Sequence, residues 1–279
     1  MRLIPILISL LVGLSGCGNA PASSEETVVV ASFYPLAYAA EEIAGNGVRV
    51  DNLTPPGVEP HDLEISPADV EAIRAADLVL LLGHGFQPQL EDAAGAGGNV
   101  VRLLDTPGLD LRANGDPHVW LDPIRYARLV ERIGSLLRGE QRAARLFRRL
   151  HALDGDFRSG LADCARRDIV TSHEAFGYLA ERYELDEISI SGVSPEAEPD
   201  PGKLREVVDL IRKRGVTTVY FETLVSPRIA ETVARETGAS TAILDPIEGL
   251  TRHERLRGED YFSRMYANLE ALRKGLGCH

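Results

Sequence analysis

Gly139 to Arg167 reads GEQRAARLFRRLHALDGDFRSGLADCARR, a stretch without proline that is rich in Ala, Leu, Arg and Glu. Its apolar residues recur at spacings of three and four, at Ala143, Leu146, Leu150, Leu153, Phe157 and Leu161. That spacing places them on one face and predicts an amphipathic helix of about 20 residues or more. The helix is either a surface helix of one domain or a helix that bridges two domains and stiffens their relative position.

Short apolar runs alternate with helical stretches on both sides of this segment. Before it, strands are predicted at Thr27–Ala31, Val48–Leu53, Leu78–Leu82 and Asn99–Leu103. After it, they are predicted at Asp168–Thr171, Leu185–Ile190, Thr217–Phe221 and Ser240–Leu244. Near-continuous apolar strands that alternate with helices are typical of parallel sheets covered on both faces.

The predicted fold class is therefore α/β, and if the long helix is a bridge, the chain forms two lobes joined by one long rigid helix. Each lobe is expected to hold a roughly four-stranded parallel sheet with flanking helices. The lobes are expected at residues 27–138 and 166–279, with the bridging helix at 139–165. A length of 279 residues suits one large or two ordinary domains. A formal charge of −12 argues against nucleic-acid binding, which needs a basic surface.

The N-terminus has the order of features found in an export signal. Met1-Arg2 is followed by a twelve-residue apolar run, Leu3 to Leu14, which is too short to span a bilayer as a helix. Leu14-Ser15-Gly16-Cys17 resembles a bacterial lipoprotein cleavage box. We therefore expect a signal peptide at 1–16 and a lipidated tether at 17–26, with the lipid on Cys17. The alternative is an ordinary signal peptide with a chance cysteine.

Four side chains able to bind metal lie at or beyond the ends of predicted strands or next to prolines: His61, His118, His173 and Asp245. Ligands of open α/β sheets bind beyond the carboxyl ends of the strands, so these residues are expected at one face. Three imidazoles and one carboxylate suit tetrahedral Zn²⁺. Each histidine taken alone is better explained as a capped or hydrogen-bonded structural residue, and only their joint placement makes a metal site an equal alternative.

Several motifs decide between these explanations. They are Ser32–Leu36 (SFYPL), Glu59–Glu64 (EPHDLE), Asp116–Pro123 (DPHVWLDP), Thr171–Tyr178 (TSHEAFGY), Gly192–Pro199 (GVSPEAEP) and Leu244–Pro246 (LDP). In this order they resemble the solute-binding lipoproteins of metal-importing ABC transporters that capture zinc or manganese. The resemblance implies two α/β lobes joined by a long helix, with the metal between them. It places the metal ligands on His61, His118, His173 and Asp245.

The resemblance also bears on the metal. Manganese-binding members tend to carry a carboxylate at the position of His173, so an imidazole there favours Zn²⁺ over Mn²⁺. Many zinc members have a long histidine-rich loop between the first two ligands, and this chain lacks it. Glu59 is a possible auxiliary ligand, although a solvated turn residue is the preferred interpretation. Asp122 either supports His118 by a hydrogen bond or caps the following helix.

The expected function is capture of Zn²⁺ outside the cytoplasm and delivery to an ABC permease by a monomer anchored to the bacterial cell membrane, without catalysis. The alternatives are a manganese-binding member of the family, a surface adhesin and a zinc hydrolase. A hydrolase is least favoured because catalytic zinc keeps one coordination position open for water, and four protein ligands would close the site.

The cysteines fit this interpretation. The sequence has three, and a lipid on Cys17 leaves Cys164 and Cys278. Export would place this pair in an oxidising compartment, where paired cysteines are usually bridged. The bridge would pin the C-terminal helix to the start of the second lobe. The alternative is two free thiols that act as soft zinc ligands.

Overall fold

The computed structural model describes residues 26–195 and 200–279. The predicted signal peptide, the lipidation of Cys17 and nearly all of the tether lie outside these residues. Within them, none of the helices combines the length and the apolar character needed to span a bilayer.

The first lobe contains a four-stranded parallel sheet in the order β2-β1-β3-β4. Its strands are β1 (Thr27–Ala31), β2 (Val48–Asn52), β3 (Leu78–Leu81) and β4 (Val100–Arg102). Its helices are α1 (Tyr34–Ile43), α2 (Pro67–Ala75) and α3 (Pro88–Ala94). Helix α2 begins with a capping box, in which Ser66 and Asp69 each accept a backbone N–H of the other.

Helices α4 (Pro123–Leu136) and α5 (Glu140–Gly160) connect the lobes. All of the apolar residues that predicted the long helix are buried, and α5 packs against α1, α4 and the C-terminal helix. One apolar cluster therefore runs from the first sheet through α5 into the second lobe. This packing confirms the bridging helix and explains why it can act as a rigid strut.

The second lobe repeats the first, with a four-stranded parallel sheet in the order β6-β5-β7-β8. Its strands are β5 (Asp168–Thr171), β6 (Asp186–Ser189), β7 (Thr218–Phe221) and β8 (Ser240–Ile243). Its helices are α6 (Gly177–Tyr183), α7 (Pro201–Arg214), α8 (Arg228–Thr237), α9 (Arg252–Leu256) and α10 (Tyr261–Leu276). The eight strands confirm the predicted two-lobe α/β fold, with strand ends shifted by one residue at most.

A disulfide joins Cys164, which follows α5, to Cys278, which follows α10. Backbone hydrogen bonds flank the bridge, from Ala165 N to Gly277 O on one side and from His279 N to Asp163 O on the other. The predicted pairing is therefore confirmed, and the alternative of two free thiols is wrong. The bridge lies at the end of the second sheet where β5 begins, and β5 ends on the opposite side of that sheet.

Candidate metal centre

Four side chains meet where the two lobes face each other: His61, His118, His173 and Glu248. One potential ligand atom from each lies within 4.8 Å of the others. His61 lies in the loop after β2, and His118 precedes α4; both belong to the first lobe. His173 follows β5 and Glu248 follows β8, so the second lobe supplies the other two. These loops lie beyond the carboxyl ends of the strands, where ligands of such sheets bind.

Glu248 lies at the centre of the cluster. Its Oε1 is 3.2 Å from His61 Nε2, 3.1 Å from His118 Nε2 and 3.6 Å from His173 Nε2. The Nε2 atoms of His118 and His173 are 3.4 Å apart. The side chains of His118 and His173 are fully buried and that of His61 is 9% exposed, so the site is almost closed and reached from the His61 side.

Carboxylates outside the cluster orient two of the three histidines. His118 Nδ1 donates to Asp116 Oδ1 at 2.8 Å, and His173 Nδ1 donates to Glu222 Oε1 at 2.7 Å. Each bond occupies Nδ1 and directs Nε2 into the cluster. This is the arrangement that metal-binding histidines commonly have, because the second hydrogen bond fixes the ring and its tautomer.

The buried charges shift the pKa values of the cluster in opposite directions. Burial alone lowers the pKa of His118, but hydrogen bonds from Asp116 and Glu248 outweigh it and raise that pKa. Burial likewise lowers the pKa of His173, yet the charge and hydrogen bond of Glu222 raise it well above its usual value. Burial would raise the pKa of Glu248, and its hydrogen bonds to the histidines instead hold it well below the usual range. Without metal, these shifts favour a charged Glu248 carboxylate beside protonated His118 and His173.

Asp245, the carboxylate expected beside the three histidines, is not in this group. Its Oδ2 lies 2.7 Å from Arg264 Nη2, and its Oδ1 accepts the N–H of Ile247 at 2.8 Å. Its side chain is buried, which raises its pKa to about 6 although Arg264 opposes the shift. The structure brings Glu248 to the histidines instead, three residues further along the same loop. The sequence offered one signal for Glu248, namely a second carboxylate close after β8.

Glu59 is not the solvated turn residue that the sequence favoured. Its Oε2 accepts the N–H groups of His61 and Asp62, and its Oε1 is buried without a hydrogen-bond partner among the described residues. Burial and the charge of Glu248 both raise the pKa of Glu59. Glu59 therefore holds the backbone of the His61 turn and is the carboxyl group that carries a proton next to Glu248.

Asp122 caps α4 and does not support His118. Its Oδ1 accepts the N–H groups of Ile124 and Arg125, and its Oδ2 lies 2.7 Å from Arg125 Nη1. The structure thus decides between the two roles expected for this residue. The support of His118 comes from Asp116, a residue that the sequence did not single out for this role.

Aromatic rings form the wall of the cluster on the side of the first lobe. The Trp120 ring is fully buried, with its centroid 5.1 Å from that of His118. The Phe86 ring lies edge-on to His61 at 4.6 Å. His84, the histidine between the first two expected ligands, lies outside the cluster, is about half exposed and contacts Asp105. Trp120 therefore packs against the metal cluster.

Comparisons with known proteins give zinc-binding and zinc-uptake relatives. The model of the family described as periplasmic zinc-uptake complex component A matches residues 29–275. The zinc-binding lipoprotein AdcA of Streptococcus pneumoniae serotype 4 is 32% identical, over 98% of this chain and 61% of that protein. The high-affinity zinc uptake system protein ZnuA of Bacillus subtilis is 30% identical, over 93% of this chain and 90% of that protein.

A solved structure shares the fold. The Zn(II)-bound ZnuA-like domain of Streptococcus pneumoniae AdcA superposes with a TM-score of 0.77 and 33% identity, over 90% of this chain and 99% of that domain. The chain spans only 61% of the full-length AdcA protein, and the matched domain accounts for the shared part.

Proposed function

This chain belongs to the family of the periplasmic zinc-uptake complex component A, and on that premise we propose that it captures Zn²⁺ and delivers it to an ABC permease. The observation that carries the proposal is the buried cluster of three imidazole Nε2 atoms and one carboxylate, with two groups from each lobe. The zinc-binding names of the relatives support the same cargo.

The donor set favours Zn²⁺. His61, His118 and His173 supply nitrogen ligands and Glu248 supplies an oxygen, which matches the tetrahedral sites that zinc prefers. Mn²⁺ is better served by carboxylates, carbonyl groups and water. The four groups leave no position free for an activated water, so the site suits binding and not hydrolysis. Membership of an uptake family agrees that the protein is a transport component and not an enzyme.

Capture and release follow from how the groups are divided between the lobes. Imidazoles and the carboxylate replace the water shell of zinc when the lobes are close together. Any movement that separates the lobes removes two of the four groups and lowers the affinity. A permease that binds the separated state better than the closed state therefore draws the ion out, because only differential affinity can shift such an equilibrium.

The location is part of the proposal. The protein works as a monomer outside the cytoplasm, attached to the cell membrane by a lipid on Cys17. The lipoprotein name of AdcA and the lipoprotein-like sequence that ends at Cys17 support this location. The residue ranges proposed for the signal peptide, the tether, the two lobes and the bridging helix remain those of the sequence prediction.

Calorimetric titration of Zn²⁺ and Mn²⁺ into metal-free protein tests the proposal. We expect submicromolar binding of Zn²⁺, weaker binding of Mn²⁺, and a shift of the preference toward Mn²⁺ in His173→Glu. His84→Ala is the matched control, because His84 also contacts a carboxylate but lies outside the cluster. Failure of the wild type to bind Zn²⁺ in the submicromolar range would refute the proposal.

A further inference from the structure

The backbone just before Glu248 adopts a conformation that its sequence does not favour. Ile247 has a φ of +57° and is fully buried. The left-handed region is disfavoured for residues with a Cβ atom, and a β-branched side chain there is a genuine outlier. Such a conformation persists only where the surroundings impose it, and it is typical of functional sites.

Asp245 holds this turn from within the loop. Its Oδ1 accepts the Ile247 N–H at 2.8 Å, which closes a short turn across Pro246. Its Oδ2 accepts from Arg264 Nε at 2.9 Å and lies 2.7 Å from Arg264 Nη2. The carboxylate thus joins the backbone of the turn to a guanidinium group on α10.

Two further contacts fix the same turn. The side-chain amide of Asn268, one helical turn after Arg264 on α10, accepts from Asp245 N at 2.8 Å and donates to Asp245 O at 2.7 Å. Trp120 Nε1 donates to Pro246 O at 2.7 Å, which ties the turn to the segment that carries His118. Every one of these groups is buried or nearly so, so water does not compete for them.

The position of Glu248 depends on this turn. A left-handed residue reverses the local direction of the chain, so the residue after Ile247 faces the opposite way from its position in an extended loop. Relaxation of Ile247 to negative φ would turn the Glu248 carboxylate away from His61 and His118, whose Nε2 atoms it now approaches within 3.2 Å.

We propose that Asp245 is a positioning residue that holds Ile247 in the left-handed conformation and so keeps Glu248 in the zinc site. This inference rests on the proposed function. Asp245 affects the zinc affinity by holding the backbone of the turn, and its carboxylate does not itself coordinate the ion. Supporting groups of this kind typically contribute about 10–100-fold to metal affinity.

The test compares Asp245→Ala with Asp245→Asn in the full chain, by calorimetric titration of Zn²⁺ and by the visible absorption of Co²⁺ bound in its place. Alanine removes the acceptor for Ile247 N–H, and we expect zinc binding to weaken by about 10–100-fold. The Co²⁺ spectrum should change toward that of Glu248→Ala. Asparagine keeps an acceptor oxygen and should recover most of the affinity and of the spectrum.

Asp154→Asn is the matched control, because Asp154 is also a largely buried carboxylate that accepts from arginines, Arg158 and Arg182, but has no contact with the loop. It should lower stability without changing the zinc affinity or the Co²⁺ spectrum. Ile247→Gly adds a second measurement, since glycine accepts positive φ freely. In that background, Asp245→Ala should weaken zinc binding by a smaller factor than in the wild type.

The outcomes separate this inference from the proposed function. If the wild type binds zinc and Glu248→Ala weakens it, but Asp245→Ala binds like the wild type, the positioning role is wrong and the zinc site stands. If Asp245→Asn loses as much affinity as Asp245→Ala, the charge and not the hydrogen-bond acceptor matters, and the inference is also wrong. If the wild type fails to bind zinc, or Glu248→Ala binds it normally, the zinc site and the inference both fall.

Discussion

Replacement of both bridged cysteines by serine should destabilise the protein strongly and leave zinc binding intact. The bridge joins Cys164 to Cys278 across a sequence separation of 114. It lies where β5 begins, whereas His173 lies beyond the end of the same strand. Loss of the bridge therefore acts on the unfolded chain and on the ends of α5 and α10, and not on the metal cluster.

The magnitude follows from the length of the closed loop. Cross-linking residues at this separation removes about 16 cal/mol/K of chain entropy from the unfolded state, or about 4.8 kcal/mol at 25 °C. For a chain of this size, each kcal/mol corresponds to about 2–4 °C in the melting temperature, so a fall of about 10–20 °C is expected. Backbone hydrogen bonds on both sides of the bridge, from Ala165 N to Gly277 O and from His279 N to Asp163 O, hold the folded geometry without it.

Thermal unfolding followed by circular dichroism, with metal-free protein, measures the effect. The wild type reduced with a phosphine and alkylated should match the double serine variant. Calorimetric titration should give both proteins the zinc affinity of the oxidised wild type. A fall in stability below about 1 kcal/mol would refute the chain-entropy argument. A parallel loss of zinc affinity would refute the separation of the bridge from the metal site.

Three further predictions concern the cluster itself. Because the pKa values of His118 and His173 are raised, zinc must displace protons from both when it binds. Titrations at falling pH should therefore show the zinc affinity dropping from above pH 6.5, by up to about tenfold per pH unit for each protonated histidine. A flat profile of affinity from pH 8 to pH 6 would contradict this. Glu222→Ala removes the acceptor of the His173 Nδ1 hydrogen bond and should weaken zinc binding about 10–100-fold. Glu222→Gln should have an intermediate affinity. Equal zinc affinity in the wild type and both variants would contradict the orienting role of Glu222. Glu59→Gln mimics the protonated acid and should keep near-normal zinc affinity. Glu248→Gln removes the charged carboxylate and should lose zinc affinity. If Glu59→Gln instead bound zinc more weakly than Glu248→Gln, the charged carboxylate would be Glu59.

The fold was predictable because its signals are local and repeated. Each strand is a short apolar run bounded by polar or turn residues, and α5 has its apolar residues on one face over its whole length. The helix starts have local causes as well, since Ser66 with Asp69 caps α2 and Asp200 before Pro201 caps α7. The strand ends moved by one residue at most, because tertiary pairing and not composition decides the last residue of a strand.

Three of the four residues in the cluster were predictable for a related reason. His61, His118 and His173 stand at the ends of strands or next to prolines, and parallel strands bring such positions to one edge. The fourth was not, because Asp245 and Glu248 share one loop and pattern alone cannot choose between them. Which of the two carboxylates reaches the histidines depends on the positive φ of Ile247. A β-branched residue in the sequence gives no reason to expect a positive φ.

The support of the histidines was predictable only in part. Asp122 matched two roles equally well, and the start of α4 at Pro123 makes it the cap of that helix. Asp116 lies two residues before His118, so its backbone turn brings the carboxylate to both His118 N and His118 Nδ1. Glu222 directly follows β7, which pairs with β5, and its contact with His173 exists only once the second sheet has formed.

X-ray absorption at the zinc edge of the loaded protein tests the central claim most directly. The account predicts one zinc ion with three imidazole nitrogens at about 2.0–2.1 Å and carboxylate oxygen at about 2.0–2.2 Å. Glu248→Ala should lose the carboxylate contribution, and Asp245→Asn should keep it. A sulfur shell at about 2.3 Å, or fewer than three imidazoles in the wild type, would contradict the assignment of zinc to His61, His118, His173 and Glu248.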